Sequence, residues 1–231
     1  IGCDSLLTGS DSLVSGGTFT DMNALTAAIS NCGIGGPVIV RMLPGKYSEM
    51  LFNNAIPGTD SINTITFTSY HNNADSVIIE STTGNEATIK LSGGASYLIF
   101  DKLTVNGCMN SGASYSKGFD LAGCSDIVIR NCKINVLPND NYYSDYSGIS
   151  SIWQNGQFED VWVENNEIRG AQYGIYLDPS TLSGPIYFRN NIIVSRYVGF
   201  CSYGNTILPD ISYNTITFDT TSSRDAFYLL E

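Results

Sequence analysis

Positive charge is scarce in this chain. Only 11 Lys+Arg stand against 22 Asp+Glu, for a formal net charge of −11, and His71 is the single histidine. A surface this short of cations excludes functions that need a basic face, so neither nucleic acid nor anionic membrane is expected as a partner. An acidic polysaccharide is disfavoured on the same ground unless a divalent cation bridges it. No apolar run is long enough to cross a bilayer, so no transmembrane segment is expected, and with no cationic leader before Ile1 any secretion signal is expected to be gone already. Six cysteines (Cys3, Cys32, Cys108, Cys124, Cys132 and Cys201) lie scattered without a CxxC pair or a His–Cys cluster, which argues against zinc. Their even number permits disulfides, with Cys3 and Cys32 the pair to test. Cys132 reads instead as a small apolar residue.

What the chain does have is a repeat. The stretch Val161-Trp-Val-Glu-Asn-Asn-Glu-Ile168 aligns position by position with Leu98 to Val105, Ile127 to Ile134, Ile186 to Ile193 and Pro209 to Ile216. The third position is Phe100, Ile129, Val163, Phe188 and Ile211; the eighth is Val105, Ile134, Ile168, Ile193 and Ile216. Alternating apolar positions mean a strand with one covered face, and recurrence every 23 to 34 residues means a solenoid with loops of variable length. A second strand family, each member preceding a repeat, is led by Gly118, Gly148, Gly174 and Gly199 at four of its six members. Three short strands per coil predict an all-β fold: a right-handed parallel β-helix with a short N-terminal capping helix.

Along the chain, residues 1–18 are rich in Ser and Gly and read as irregular. Thr20 and Asp21 offer N-caps to a helix whose Leu25, Ala28 and Ile29 share one face, and Gly33 ends it. Such a helix caps a solenoid end that would otherwise expose its interior. The division expected is residues 1–37 for the N-terminal segment and capping helix, and 38–231 for the β-helix. Phe227-Tyr-Leu-Leu-Glu231 begins a coil with nothing after it. That open edge would be covered by a continuation of the chain or by an end-to-end subunit contact.

Reading across coils gives columns of side chains. Asn166, Asn191 and Asn214 at the sixth position read as a structural amide ladder, and Asp101, Arg130, Glu164 and Arg189 at the fourth as a charge ladder on the surface. The outward second position runs Ile99, Val128, Trp162, Tyr187. Aromatic faces stack on sugar rings, so this stripe is a candidate ligand site, unless a long loop covers it. Outward residues of the glycine-led strands are Lys90, Asp120, Ser150, Tyr176, Cys201 and Tyr228. Tyr176 joins the ligand candidates, and Lys90 beside Asp120 is the one candidate acid–base pair, better read as a surface ion pair. The insertion from Pro138 to Tyr146 holds Tyr142, Tyr143 and Tyr146, suited to glycan contact. It also holds Asp140 and Asp145, oxygen ligands of the kind Ca²⁺ takes, though at no recognised calcium-loop spacing. Glu159-Asp160 and Asp178-Pro179 read as a solvated face and a turn.

The NNxI turns resemble those of the pectate-lyase-like β-helix superfamily. More closely, the run from Phe19 to Ile29, then Gly35-Gly-Pro-Val-Ile-Val, Leu43-Pro-Gly-Lys-Tyr-Ser-Glu49 and Ile56 to Phe67, is similar to the opening of large β-helix proteins secreted by Bacteroidetes. The resemblance implies a secreted or cell-surface protein, often one module of a longer chain. It implies no settled activity, since relatives include lyases, hydrolases, epimerases and adhesins. In lyases of the superfamily a comparable outer face carries clustered carboxylates for calcium with a Lys or Arg base, and this chain departs from that pattern. Three functions follow as expectations. The first is an extracellular, adhesin-like module binding glycan or another surface partner. The others are a polysaccharide lyase or glycoside hydrolase, and a structural stalk or assembly subunit. No cofactor is expected, Ca²⁺ being the one candidate.

Overall fold

Apolar residues at every second position need a covered face, and in the computed structural model each repeat covers the one before it. The structure describes residues 7–13, 19, 21–83, 87–110, 116–137, 147–151, 159–177, 184–203, 209–219 and 225–230. Their strands form three parallel sheets that wind into one β-helix. An eight-stranded sheet runs in the order Leu7–Leu13, Ile34–Met42, Ile65–Ser69, Leu98–Asp101, Ser125–Arg130, Glu159–Glu164, Ile186–Arg189, Asp210–Ser212. After each of the last five strands the chain turns into a second sheet of seven strands, here the turn sheet, which includes Thr104–Asn106, Lys133–Asn135, Glu167–Arg169 and Ile192–Ser195. The third sheet, also of seven, holds the glycine-led strands Phe119–Ala122, Ser147–Ser151, Tyr173–Leu177 and Val198–Tyr203.

The core is the column of inward third positions. Phe67, Phe100, Ile129, Val163 and Phe188 follow one another in register and are buried. Phe67 stacks on Phe100 with centroids 5.4 Å apart and planes at 11°, and Phe100 meets Phe119 of the glycine-led sheet edge-on across the interior. Aromatic pairs favour such offset and edge geometries.

The capping helix is Met22–Cys32. Asp21 Oδ1 accepts the Ala24 N–H at 2.8 Å, and Gly33, at φ 71°, ends the helix in a conformation that disfavours a side chain. Met22, Leu25, Ala28 and Ile29 are buried, so the helix lays its apolar face on the coil end. Cys32 is disulfide-bonded, whereas Cys108, Cys124, Cys132 and Cys201 are buried free thiols. The expected partner, Cys3, lies outside the described residues. The N-terminal segment differs from expectation: Leu7–Leu13 is a strand, paired in parallel with Ile34–Met42. Its Gly, Ser and Asp carry little β-propensity, and the edge of Ile34–Met42 supplies the pairing instead.

Two columns set the coil geometry. At the fifth position of the repeat, Lys102, Asn131, Asn165, Asn190 and Tyr213 all take positive φ, between 53° and 59°. That left-handed residue swings the chain from the eight-stranded sheet into the turn sheet, and asparagine tolerates it best. The next residue is the buried ladder. Asn166 Oδ1 accepts the Cys132 N–H at 2.9 Å, while Asn166 Nδ2 donates to Ile129 O and to Asn191 Oδ1. Asn191 repeats this pattern toward Val163 O and Asn214. Cys132 replaces the amide in its own coil, its thiol donating to Arg130 O at 3.2 Å, and burial pushes its pKa up to about 12.

The glycine column is the second. A Cβ on Gly148 would lie 2.3 Å from Ile168 Cγ2 and 2.7 Å from Gly174 O; Gly118, Gly174 and Gly199 meet Ile134, Ile193 and Ile216 in the same way. The eighth-position isoleucines therefore occupy the space a side chain there would need. Gly148→Ala is expected to destabilise the fold by about 1–3 kcal/mol through overpacking. Gly45→Ala, whose Cβ would meet nothing closer than 3.8 Å, should stay within about 0.5 kcal/mol of the parent. Asn191→Ala should cost about 3 kcal/mol by stranding the Asn166 N–H and the Val163 carbonyl. Urea unfolding midpoints of the three variants check both columns.

Candidate ligand groove

The outer face of the eight-stranded sheet carries the second-position stripe. Ile99, Val128, Trp162 and Tyr187 stand side by side in register, half-buried. Trp162 and Tyr187 stack with ring centroids 3.8 Å apart and planes at 25°. Arg189 Cζ lies 4.7 Å from the Tyr187 centroid and 5.4 Å from that of Trp162. With the rings themselves 3.8 Å apart, those two distances place the guanidinium alongside the stack rather than beyond either ring. Asp210, opposite Tyr187 in register, holds it there, accepting from Arg189 Nε at 3.1 Å and also from Nη2. One face of Trp162 is thus taken by Tyr187, and its neighbour in register on the other side is the smaller Val128.

That side opens into a concavity of about 290 Å³ lined by Ser61, Thr64, Tyr97, Ile99, Asp126, Val128, Asp160 and Trp162. Its long direction crosses four neighbouring strands, from Thr64 to Trp162, and so spans roughly 14 Å at the usual strand spacing. One wall is the second-position stripe. The other is the residue just before each strand's first inward position: Tyr97, Asp126 and Asp160, all with positive φ (63°, 54° and 51°). In a tyrosine that backbone conformation is strained by about 1 kcal/mol. Backbone hydrogen bonds hold it, with Tyr97 O accepting from Ile65 N and Tyr97 N donating to Ser125 O.

The groove is acidic. Asp126 is the main influence keeping the Tyr97 hydroxyl above its ordinary pKa, followed by burial, and Asp60 and Asp160 add to it. Tyr97 therefore remains a proton donor at neutral pH, directed to Asp126. Asp126 also accepts from Ser125 Oγ at 2.9 Å. Asp60, at the rim, is held below the usual carboxylate range by the backbone N–H groups of Asn63 and Ile62. Among the described residues lining the concavity there is no Lys, Arg or His.

Trp162 and Tyr187, read from sequence as ligand contacts, stand together here. Tyr176 does not join them, because it lies on the glycine-led sheet beside Tyr173, ring centroids 5.2 Å apart. Lys90 and Asp120 face each other in register on that same sheet. The outward face expected there is covered: Asp120, Ser150 and Cys201 are buried, and Ser150 Oγ donates to Asp120 Oδ1 at 3.0 Å. Tyr142, Tyr143, Tyr146, Asp140 and Asp145 lie outside the described residues. Among the described residues no group of three or more His, Cys, Asp or Glu is placed to hold a metal ion. No helix is long and apolar enough to cross a membrane. The fourth-position charge ladder forms in part: Arg130 Nε sits 3.4 Å from Asp101 Oδ1, whereas Arg189 leaves Glu164 for Asp210. Tyr97 and Asp126 were missed by a frame that began at the first inward residue, and Asp160 was read as solvated. The recurring residue before each strand was the available signal.

Comparisons with protein-family models, with curated proteins and with solved structures found no match.

The Arg189–Asp210 pair makes the edge of the groove sensitive to acid. Arg189 holds the Asp210 carboxyl below its ordinary 3.8, so the stability it adds is present above that value and is lost as pH falls through the lower folded-state value. Asp210→Asn should therefore lower the unfolding midpoint at pH 7, and the gap to the parent should close in strong acid. Urea titrations at the two pH values check the sign.

Proposed function

We propose that the chain is an extracellular glycan-binding module, with the groove beside Trp162 as its ligand site. The observation that carries the reading is Trp162 at the end of a ring stack, lining a concavity together with two carboxylates and a tyrosine. Aromatic faces hold the apolar C–H surface of a sugar ring, and carboxylates accept hydrogen bonds from its hydroxyls. The groove runs across coils about 4.8 Å apart, close to the length of one sugar unit, so a linear glycan can meet similar contacts coil after coil. Strain at Tyr97 fits a side chain held out for recognition, since such outliers cluster at binding sites.

Location outside the cell is supported by the Cys32 disulfide, a bond that persists in oxidising compartments, and by the similarity of the opening motifs to secreted Bacteroidetes proteins. A polysaccharide-cleaving role has less behind it, because Asp120, the acid of the one acid–base pair seen in the sequence, is buried against Ser150. Trp162→Ala should weaken glycan binding about tenfold, a loss of roughly 1.4 kcal/mol, in a chain that still folds but with a lowered unfolding midpoint because the stack on Tyr187 is lost. Retardation in glycan-containing affinity gels measures it. Equal retardation of parent and variant by every bound glycan removes the groove as the site, and release of new chain ends replaces the binding reading with an enzymatic one.

A further inference from the structure

The groove's charge narrows its ligand. Asp126 and Asp160 occupy the same column on neighbouring strands, flanked by the pairings Ser125 with Glu159 and Ile127 with Val161. Like charges directly across a strand pair disfavour each other, and these two share a column on a half-buried wall. Asp126 receives the Ser125 hydroxyl, a neutral donor that leaves its charge in place. The Asp60 carboxylate adds its charge near Tyr97, and the described arginines of the Val128 and Tyr187 strands are committed elsewhere, Arg130 to Asp101 and Arg189 to Asp210. A uronate or sulfated sugar would add negative charge to this wall. A neutral sugar would supply hydroxyls and leave the carboxylate repulsion as it was. An ammonium group carried on the ring would answer both carboxylates and lie close to Trp162 in the same concavity, where a cation is also attracted by the ring.

Building on the glycan reading above, we propose that the groove selects an amino sugar with a free, protonated amine, its ring over Val128 against Trp162 and its ammonium between Asp126 and Asp160. The ligand class is a glycan of de-N-acetylated hexosamine units rather than a neutral or acidic polysaccharide. Tyr97 donates to Asp126 and keeps that carboxylate facing the groove. The outer carboxylates at Asp60 add long-range attraction that salt weakens.

The test is calorimetric titration of the full chain with two oligosaccharides of equal length, an N-acetylglucosamine oligomer and its de-N-acetylated counterpart, at a pH where the amine is protonated. The de-N-acetylated oligomer is expected to bind at least tenfold more tightly, and to lose that advantage when pH is raised past the amine's pKa. Asp126→Asn and Asp160→Asn, which keep the side-chain shape, should each weaken it roughly fivefold and weaken the N-acetylated oligomer by clearly less, so that the preference for the free amine shrinks. Trp162→Ala should weaken both. Equal binding of the two oligomers, or preference for the acetylated one, overturns charge selection while the glycan reading stands. Failure of these oligomers and of a panel of neutral and acidic polysaccharides to bind at all overturns both. If one Asp→Asn variant misfolds, the other still decides the charge question.

Discussion

Backbone hydrogen bonds between successive coils tie each strand in register to the next, and everything else in this molecule is placed by that tie. Because equivalent residues must then stand about 4.8 Å apart in straight columns, a choice made in one coil is answered by its neighbours. The buried asparagines show the strictest case. Each amide satisfies a backbone group of one coil and the side chain of the next, so a single deletion leaves polar atoms orphaned on both sides. The glycine column shows the converse, an absence of side chain required because the isoleucine column fills the same space.

The same columns line the groove among the described residues. The Trp162 indole stands next to the smaller Val128 side chain where the concavity lies, and the Trp162–Tyr187 stack fixes one wall of it. Arg189 and Asp210 brace the stack from the side, removing rotamer freedom that a ligand would otherwise have to quench. On the opposite wall, left-handed residues turn Tyr97, Asp126 and Asp160 toward the same concavity. An acidic, aromatic-walled cleft on a regular scaffold is the feature on which the proposed recognition of a cationic sugar rests.

Much of this was legible in the sequence, because a solenoid writes its register into the spacing of apolar residues. The third-position core, the three strands per coil, the asparagine column and the Asp21-capped helix all follow from period and residue type alone. What was not legible has a physical reason in each case. Leu7–Leu13 lacks strand-forming composition and is a strand because a neighbouring edge pairs with it. Asp120, Ser150 and Cys201 alternate as outward residues should, yet they are buried, since alternation reports which face a residue points to and not whether that face is covered. Tyr97, Asp126 and Asp160 sit where the backbone leaves the extended region, so a strict two-residue period cannot say which way their side chains turn. The stripe of Ile99, Val128, Trp162 and Tyr187 was visible; the gap beside Trp162 was not, because it depends on a ring stack that only the structure shows.

The most direct measurement of the central claim is an NMR titration of methyl-labelled protein with a de-N-acetylated hexosamine oligomer, following the Ile99 and Val128 methyls together with the Trp162 indole. Ring currents make methyls beside an entering ligand and a tryptophan face sensitive reporters. The account requires saturable shifts at Ile99, Val128 and Trp162, with the core methyls of Ile129 and Val163 little changed. Saturable shifts centred on the glycine-led sheet around Ile175, with the Trp162 signals still, would place the ligand elsewhere and contradict it.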